Sequence, residues 1–98
     1  MNSKLPYLIR ALNQWILDNG MTPQILVEAG DGSARVPREY VRDGKIILNI
    51  APQAVADLYI GDDLLTFHAR FNGRPFEIQL PTRCVLGVFA RETGKGMM

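Results

Sequence analysis

The sequence predicts an α+β fold: one N-terminal helix followed by a small, curled antiparallel β-sheet or partly open barrel. Three observations predict it. A single stretch near the N-terminus has apolar residues at helical spacing, with Leu8, Leu12, Trp15 and Ile16 at i, i+4, i+7 and i+8. After Pro23 the chain breaks into short apolar runs at close, regular intervals. Asp43-Gly44 and Asn72-Gly73 punctuate those runs; they are the dipeptides of two-residue hairpins, whose central residues need positive φ. The 98 residues suit one domain, which buries roughly 60–65% of the surface its unfolded chain exposes. Such a core is adequate but not generous, so a dimer contact would help. The domain is expected over residues 1–92, with a flexible tail over 93–98.

The helix is expected over residues 6–19. Pro6 suits its first turn, where a missing N–H costs nothing, and Ser3 can cap it from just upstream. Ile9 and Ala11 widen the apolar face. Asn19-Gly20 tolerates the left-handed conformation that ends a helix, and Pro23 prevents continuation. The apolar arc is wide for a lone terminal helix. Either part of it faces another chain, or Trp15 anchors the helix to its own sheet.

The β domain is expected over about 24–90. Its first strand is 24–29, followed by the turn cluster Gly30-Asp31-Gly32-Ser33. A short strand at 35–37 ends on Pro37, which cannot donate to a central ladder, and residues 39–41 lead into Asp43-Gly44. Lys45 to Ile50 is nearly continuous in apolar residues, as a strand buried on both faces would be. Ala51 to Ala56, with Pro52, reads as a turn. Strands are expected at 57–60, 64–71, 76–80 and 84–90. In the second of these, Leu65, Phe67, Ala69 and Phe71 alternate with Thr66, His68 and Arg70. The tail from Arg91 has two glycines and no periodicity, so it is expected to fray.

Charge and cysteine usage exclude several function classes. Eleven basic and ten acidic residues give a net charge of +1, which argues against the clustered basic surplus of a nonspecific nucleic-acid binder. Arg35, Arg38 and Arg42 are the densest basic group and read as a solvated face or strand edge. No apolar stretch approaches the roughly 20 residues of a membrane-spanning helix, and the N-terminal segment is too interrupted by polar residues for a cleavable signal. Cys84 is the one cysteine, so no internal disulfide forms, and a reducing, cytoplasmic location is the natural expectation.

Candidate chemistry is sparse. Cys84 with His68 would make a nucleophile and base only in contact, with a third orienting group; a cysteine opening an apolar strand is ordinarily a buried structural thiol. One Cys and one His do not fill a zinc site, and Asp57, Asp62 and Asp63 suit turn chemistry. Neither a metal nor a cofactor is expected, and the chain reads as a non-enzyme. Arg70-Phe71-Asn72-Gly73-Arg74 mixes basic and aromatic residues on a hairpin, a weak sign of an RNA-stacking surface. Asn49 and Arg70 stand out as polar residues in apolar strands. Each is either a satisfied edge group or part of a groove lined by Ile47, Phe67, Ala69 and Phe71. An extended peptide in such a groove gains affinity from main-chain hydrogen bonds and specificity from side-chain pockets. Ala51 and Ala69 are small enough to let its backbone approach, and Asn49 can both donate and accept.

Several stretches, in order over nearly the whole chain, resemble the stringent starvation protein B (SspB) family. They are Pro6-Tyr7-Leu8-Ile9-Arg10-Ala11, Trp15-Ile16-Leu17-Asp18-Asn19, Thr22-Pro23, Val36-Pro37, Glu39-Tyr40-Val41-Arg42-Asp43-Gly44, Ile47-Leu48-Asn49-Ile50-Ala51-Pro52, Phe67-His68-Ala69-Arg70-Phe71 and Phe89-Ala90-Arg91-Glu92. The resemblance implies an Sm-like sheet behind the helix, and a homodimer joined through Leu8, Ala11, Leu12 and Trp15. It implies a bacterial adaptor that holds the ssrA degradation tag and delivers tagged proteins to the ClpXP protease. The implied tag groove comprises Tyr40, Ile47, Asn49, Ala51, Phe67, Ala69, Arg70 and Phe71. At the position of His68 the family often has Asn, so here either a pH-sensitive contact forms or the side chain points away. Family members also carry a long acidic tail that docks on ClpX; this sequence ends at Gly96-Met97-Met98, so it is expected to bind tags without tethering them. The alternative reading is a small Sm-like RNA-binding module, and a third is a hydrolase using Cys84 and His68.

Overall fold

A computed structural model describes residues 3–97, with Met97 through its backbone alone. Met1, Asn2 and Met98, which belong to the expected domain and tail, lie outside the described residues. The order is helix α1 (Leu5–Asp18), then strands β1 (Pro23–Glu28), β2 (Lys45–Asn49), β3 (Val55–Ile60), β4 (Leu64–Phe71), β5 (Arg74–Pro81), β6 (Val85–Ala90) and β7 (Gly96–Met97). The fold is α+β, with one helix followed by open antiparallel sheets. The strands divide into a four-stranded sheet, β2-β1-β6-β7, and a three-stranded sheet, β3-β4-β5. The curl is interrupted twice: at the turn after Pro52, between β2 and β3, and at Pro81 with the 3-10 turn Thr82–Cys84, between β5 and β6. At those points the chain leaves one ladder for the other.

Helix α1 starts where the sequence predicts. Pro6 sits in its first turn, and the Ser3 hydroxyl accepts the Leu5 N–H at 3.1 Å. Two adjacent stripes divide its wide apolar arc. Ile9 and Ile16 are buried, with Leu5 and Leu12 packed beside them. Tyr7, Leu8 and Trp15 are about half exposed, and Ala11 is exposed between them. The buried stripe lies mainly against β6, with lesser contact to β1 and β3. Burying Ile9 completely contributes roughly 1.5–3 kcal/mol.

One apolar cluster joins the two sheets. Ile25, Val27, Ile46, Leu48 and Val88 come from the first sheet, and Leu65, Phe67, Ile78 and Leu80 from the second. Both hairpin dipeptides adopt the conformation they were read for: Asp43 and Gly44 at φ 54° and 74°, Asn72 and Gly73 at φ 54° and 75°. Arg42 and Lys45 close the first hairpin with reciprocal backbone hydrogen bonds of 2.8 and 3.0 Å.

Four expectations are corrected. Strand β2 is buried on one face only: among the described residues none covers its outer side, and Ile47 there is 55% exposed. Residues 35–37 make an isolated bridge, Arg35 to Gln79, rather than a strand, and Arg38–Tyr40 form a 3-10 turn. The tail does not fray through Met97. It turns at Gly94, the Ala90 N–H donates to the Lys95 carbonyl at 2.7 Å, and Gly96–Met97 pair with Val88–Phe89. The free edge of β6 supplies partners that sequence periodicity over two residues cannot signal.

Candidate functional site

The turn between β2 and β3 builds the most promising surface. Asn49 ends β2 and its side-chain oxygen accepts the Ala51 N–H at 2.8 Å. That bond turns the chain as an Asx motif does and leaves the carboxamide NH2 available to donate. The Ala54 N–H then donates to the Ala51 carbonyl at 2.9 Å, closing the turn. Hollows open on both sides of it. The smaller, about 170 Å³, is lined by Thr22, Asn49, Ala51, Gln53, Ala54 and Arg91. The larger, about 620 Å³, is lined by Gln53, Ala54, Val55, Ala56, His68, Ala69, Arg70 and Pro75. Gln53 and Ala54 line both, so the two hollows adjoin at the turn, and together they are called the furrow below. The larger hollow falls in the usual size range of ligand pockets, roughly 300–1,000 Å³.

Four of the eight sequence-predicted peptide contacts meet here: Asn49 and Ala51 in the smaller hollow, Ala69 and Arg70 in the larger. The other four lie elsewhere. Phe67 is 1% exposed and belongs to the core, not to a groove wall. Strand β4 explains the difference: Leu65 and Phe67 are fully buried, whereas Ala69 and Phe71, on the same face, are only partly so. The strand runs out from under the first sheet along its length. Phe71 instead packs between Tyr40, tilted against it at 5.6 Å between ring centroids, and Phe76, edge-on at 6.1 Å. Ile47 stands on the outer face of β2. Sequence reasoning missed Gln53, Ala54, Val55, Ala56 and Pro75, and it singled out His68 only as a departure from the family pattern. The one available signal was the run of small residues from Ala51 to Ala56, which read as a turn and nothing more.

The charged groups near the furrow are arranged around His68. Its Nδ1 lies 3.5 Å from an Asp57 carboxylate oxygen and its Nε2 lies 3.3 Å from one of Glu77. Glu77 is also 3.8 Å from Arg35. Arg70 donates to the Gly73 carbonyl at 3.1 Å. Cys84 is far from this chemistry: it is buried, with the Ser33 hydroxyl at 3.5 Å and an Arg83 nitrogen at 3.3 Å. The described residues therefore contain no Cys84–His68 pair, and the hydrolase reading loses its nucleophile and base. The basic group reads as structural: Arg38 donates to the Ala29 and Ala34 carbonyls at 2.6 Å each, and Arg42 to the carbonyls of Glu39 and Val41. Among the described residues no cluster of three metal-ligating side chains occurs, and no helix is long and apolar enough to cross a membrane.

The dimer residues predicted from the helix divide along its two stripes. Leu8, Ala11 and Trp15 are exposed, whereas Leu12 is half-buried against the protein's own core. A further hollow of about 200 Å³ lies beside Trp15, Ile16, Met21 and Ala90.

Comparison with known proteins agrees with the ordered stretches of sequence. The chain is 42% identical over 95 residues to the stringent starvation protein B homolog of Haemophilus influenzae, a match that covers 97% of this chain and 63% of that relative. The family model described as stringent starvation protein B (SspB) matches residues 3–98. With nearly its whole length matched, the chain belongs to the stringent starvation protein B family.

Proposed function

We propose that this chain is the tag-binding domain of a non-enzymatic, cytoplasmic adaptor. It holds the ssrA degradation tag as an extended peptide in the furrow beside the β2–β3 turn, and so serves delivery of tagged proteins to the ClpXP protease. The observation that carries the reading is the furrow's composition. Ala51, Ala54, Ala56 and Ala69 keep it shallow enough for a peptide backbone, while Asn49, Gln53 and Arg70 offer hydrogen-bonding groups along it. Extended peptides are recognised in this way, by main-chain contacts with side-chain selection. Tyr40, Ile47, Phe67 and Phe71 drop out of the proposed contact set.

The exposed stripe Leu8, Ala11 and Trp15 joins two copies into a homodimer in this reading. The match spans 63% of the relative's length, and docking on ClpX is assigned to the remainder. Two furrows on one dimer then raise the effective concentration of substrate at the protease, with no bond made or broken by the adaptor. Fluorescence anisotropy with a labelled tag peptide tests the furrow. Ala54→Trp, which fills the position shared by both hollows, should weaken binding by about tenfold or more, equivalent to some 1.4 kcal/mol. An unchanged isotherm for Ala54→Trp would move the tag off this surface.

A further inference from the structure

The sole histidine of the chain lines the larger hollow, and the surrounding backbone is shaped to hold it. Strand β3 changes register between Ala56 and Tyr59. Within that irregularity Asp57 takes φ 57°, the left-handed region, where Asp is one of the few side chains tolerated. A regular strand would direct residue 57 differently; the bulge brings its carboxylate to the Nδ1 side of His68. From the other neighbouring strand, Glu77 pairs directly with His68 in register and faces its Nε2. A neutral imidazole has one N–H and one bare nitrogen, so it can donate to only one of these carboxylates while its lone pair faces the other. The imidazolium has an N–H on the side of each. The ring thus stands between carboxylates supplied by both flanking strands, β3 and β5.

The charges facing this ring are Asp57 from β3, Glu77 from β5, Arg35 from the preceding loop through Glu77, and Arg70 two residues along β4. With His68 neutral these four sum to zero. Arg91 lines the smaller hollow as well, so protonating His68 adds one positive charge to a furrow already bordered by Arg70 and Arg91. We infer that His68 sets the furrow's preference for acidic peptides, and that this preference strengthens as the ring takes up a proton. The inference rests on the furrow being the peptide site. Imidazole is the side chain that ordinarily changes charge between pH 5 and 8, whereas peptide carboxylates stay ionised across pH 6–8.

The test is a binding titration at pH 6 and pH 8, at one ionic strength, with two labelled peptides. One is a tag peptide bearing side-chain carboxylates; in the other those carboxylates are amides. The acidic peptide should bind about two- to fivefold tighter at pH 6, the size of one exposed charge interaction. The amide peptide should show a ratio near one. His68→Gln should bring the acidic peptide's ratio to about one, whatever its absolute affinity. Asp57→Asn, which keeps a residue tolerant of the left-handed conformation, should raise affinity for the acidic peptide at pH 8. A pH ratio that survives His68→Gln, or one equally large for the amide peptide, overturns the inference and leaves the furrow intact. No binding of either peptide at either pH sinks the furrow itself, and the inference with it.

Discussion

Phe67 and Arg70 lie three residues apart on β4, and substituting them should separate stability from binding. Phe67 is sealed in the core, so Phe67→Ala should cost roughly 3–5 kcal/mol of unfolding free energy. That loss is measurable by thermal or urea denaturation, and tag affinity should hold while the protein stays folded. Arg70 is exposed, and its guanidinium donates to the Gly73 carbonyl. Arg70→Ala should leave the unfolding midpoint nearly unchanged, as surface substitutions do, and weaken the tag. Glu92 gives a pH dependence. The hydroxyl and backbone N–H of Thr22 donate to its carboxylate at 2.7 and 2.8 Å, and hold its titration below the usual carboxylate range. A carboxyl lowered in the folded state contributes stability above its unfolded pKa and loses it as pH falls through the folded one. Glu92→Gln should therefore be less stable than the parent at neutral pH, with the two melting curves converging towards pH 3. A gap that stays constant with pH would dismiss the Thr22 contact as the cause. At this scale the sequence was a good guide to identity and a poorer one to exposure. Alternation placed Phe67, Ala69 and Phe71 on one face of β4. How far each is covered depends on where the strand leaves the first sheet, which no local pattern encodes.

Elements with strong local chemistry were legible. The Asp43-Gly44 and Asn72-Gly73 hairpins follow from backbone conformation alone, and β4 spans the residues expected of it. Helix α1 was legible as a helix, and its width hinted at two partners. Periodicity could not say which half of the arc faces inward. Ile9, rather than Leu8, turned out to be the core residue. The two stripes predict opposite behaviour. Ile9→Ala should lower the unfolding free energy by about 2–5 kcal/mol. Leu8→Glu should hardly alter the fold of a single protomer but should shift the sedimentation coefficient from dimer towards monomer. A dimer that persists in Leu8→Glu would place the contact elsewhere. Strand β7 was illegible for a different reason: two residues after a glycine turn have no period, and only the free edge of β6 gives them a place.

At the scale of the molecule, the furrow arises because the β2–β3 connection crosses from one sheet to the other. Neither sheet alone contains it. Asn49 comes from the end of one, Ala69 and Arg70 from the middle strand of the other, and Gln53 with Ala54 from the turn between them. Resemblance to a family pointed to Asn49, Ala51, Ala69 and Arg70. The turn residues that complete the surface carry little chemistry of their own and became visible only with the fold. In a symmetric dimer each protomer should take up one tag independently, so titration should reach one peptide per chain.

The most direct measurement is an amide chemical-shift map of the isotopically labelled protein during titration with the ssrA tag peptide. The account predicts that the largest shifts gather at Asn49, Ala51, Gln53, Ala54, Ala69 and Arg70, with Ile47 and the outer face of β2 unmoved. Shifts concentrated on that outer face, or around Tyr59 and Leu64 at the opposite turn, with residues 49–56 silent, would contradict it.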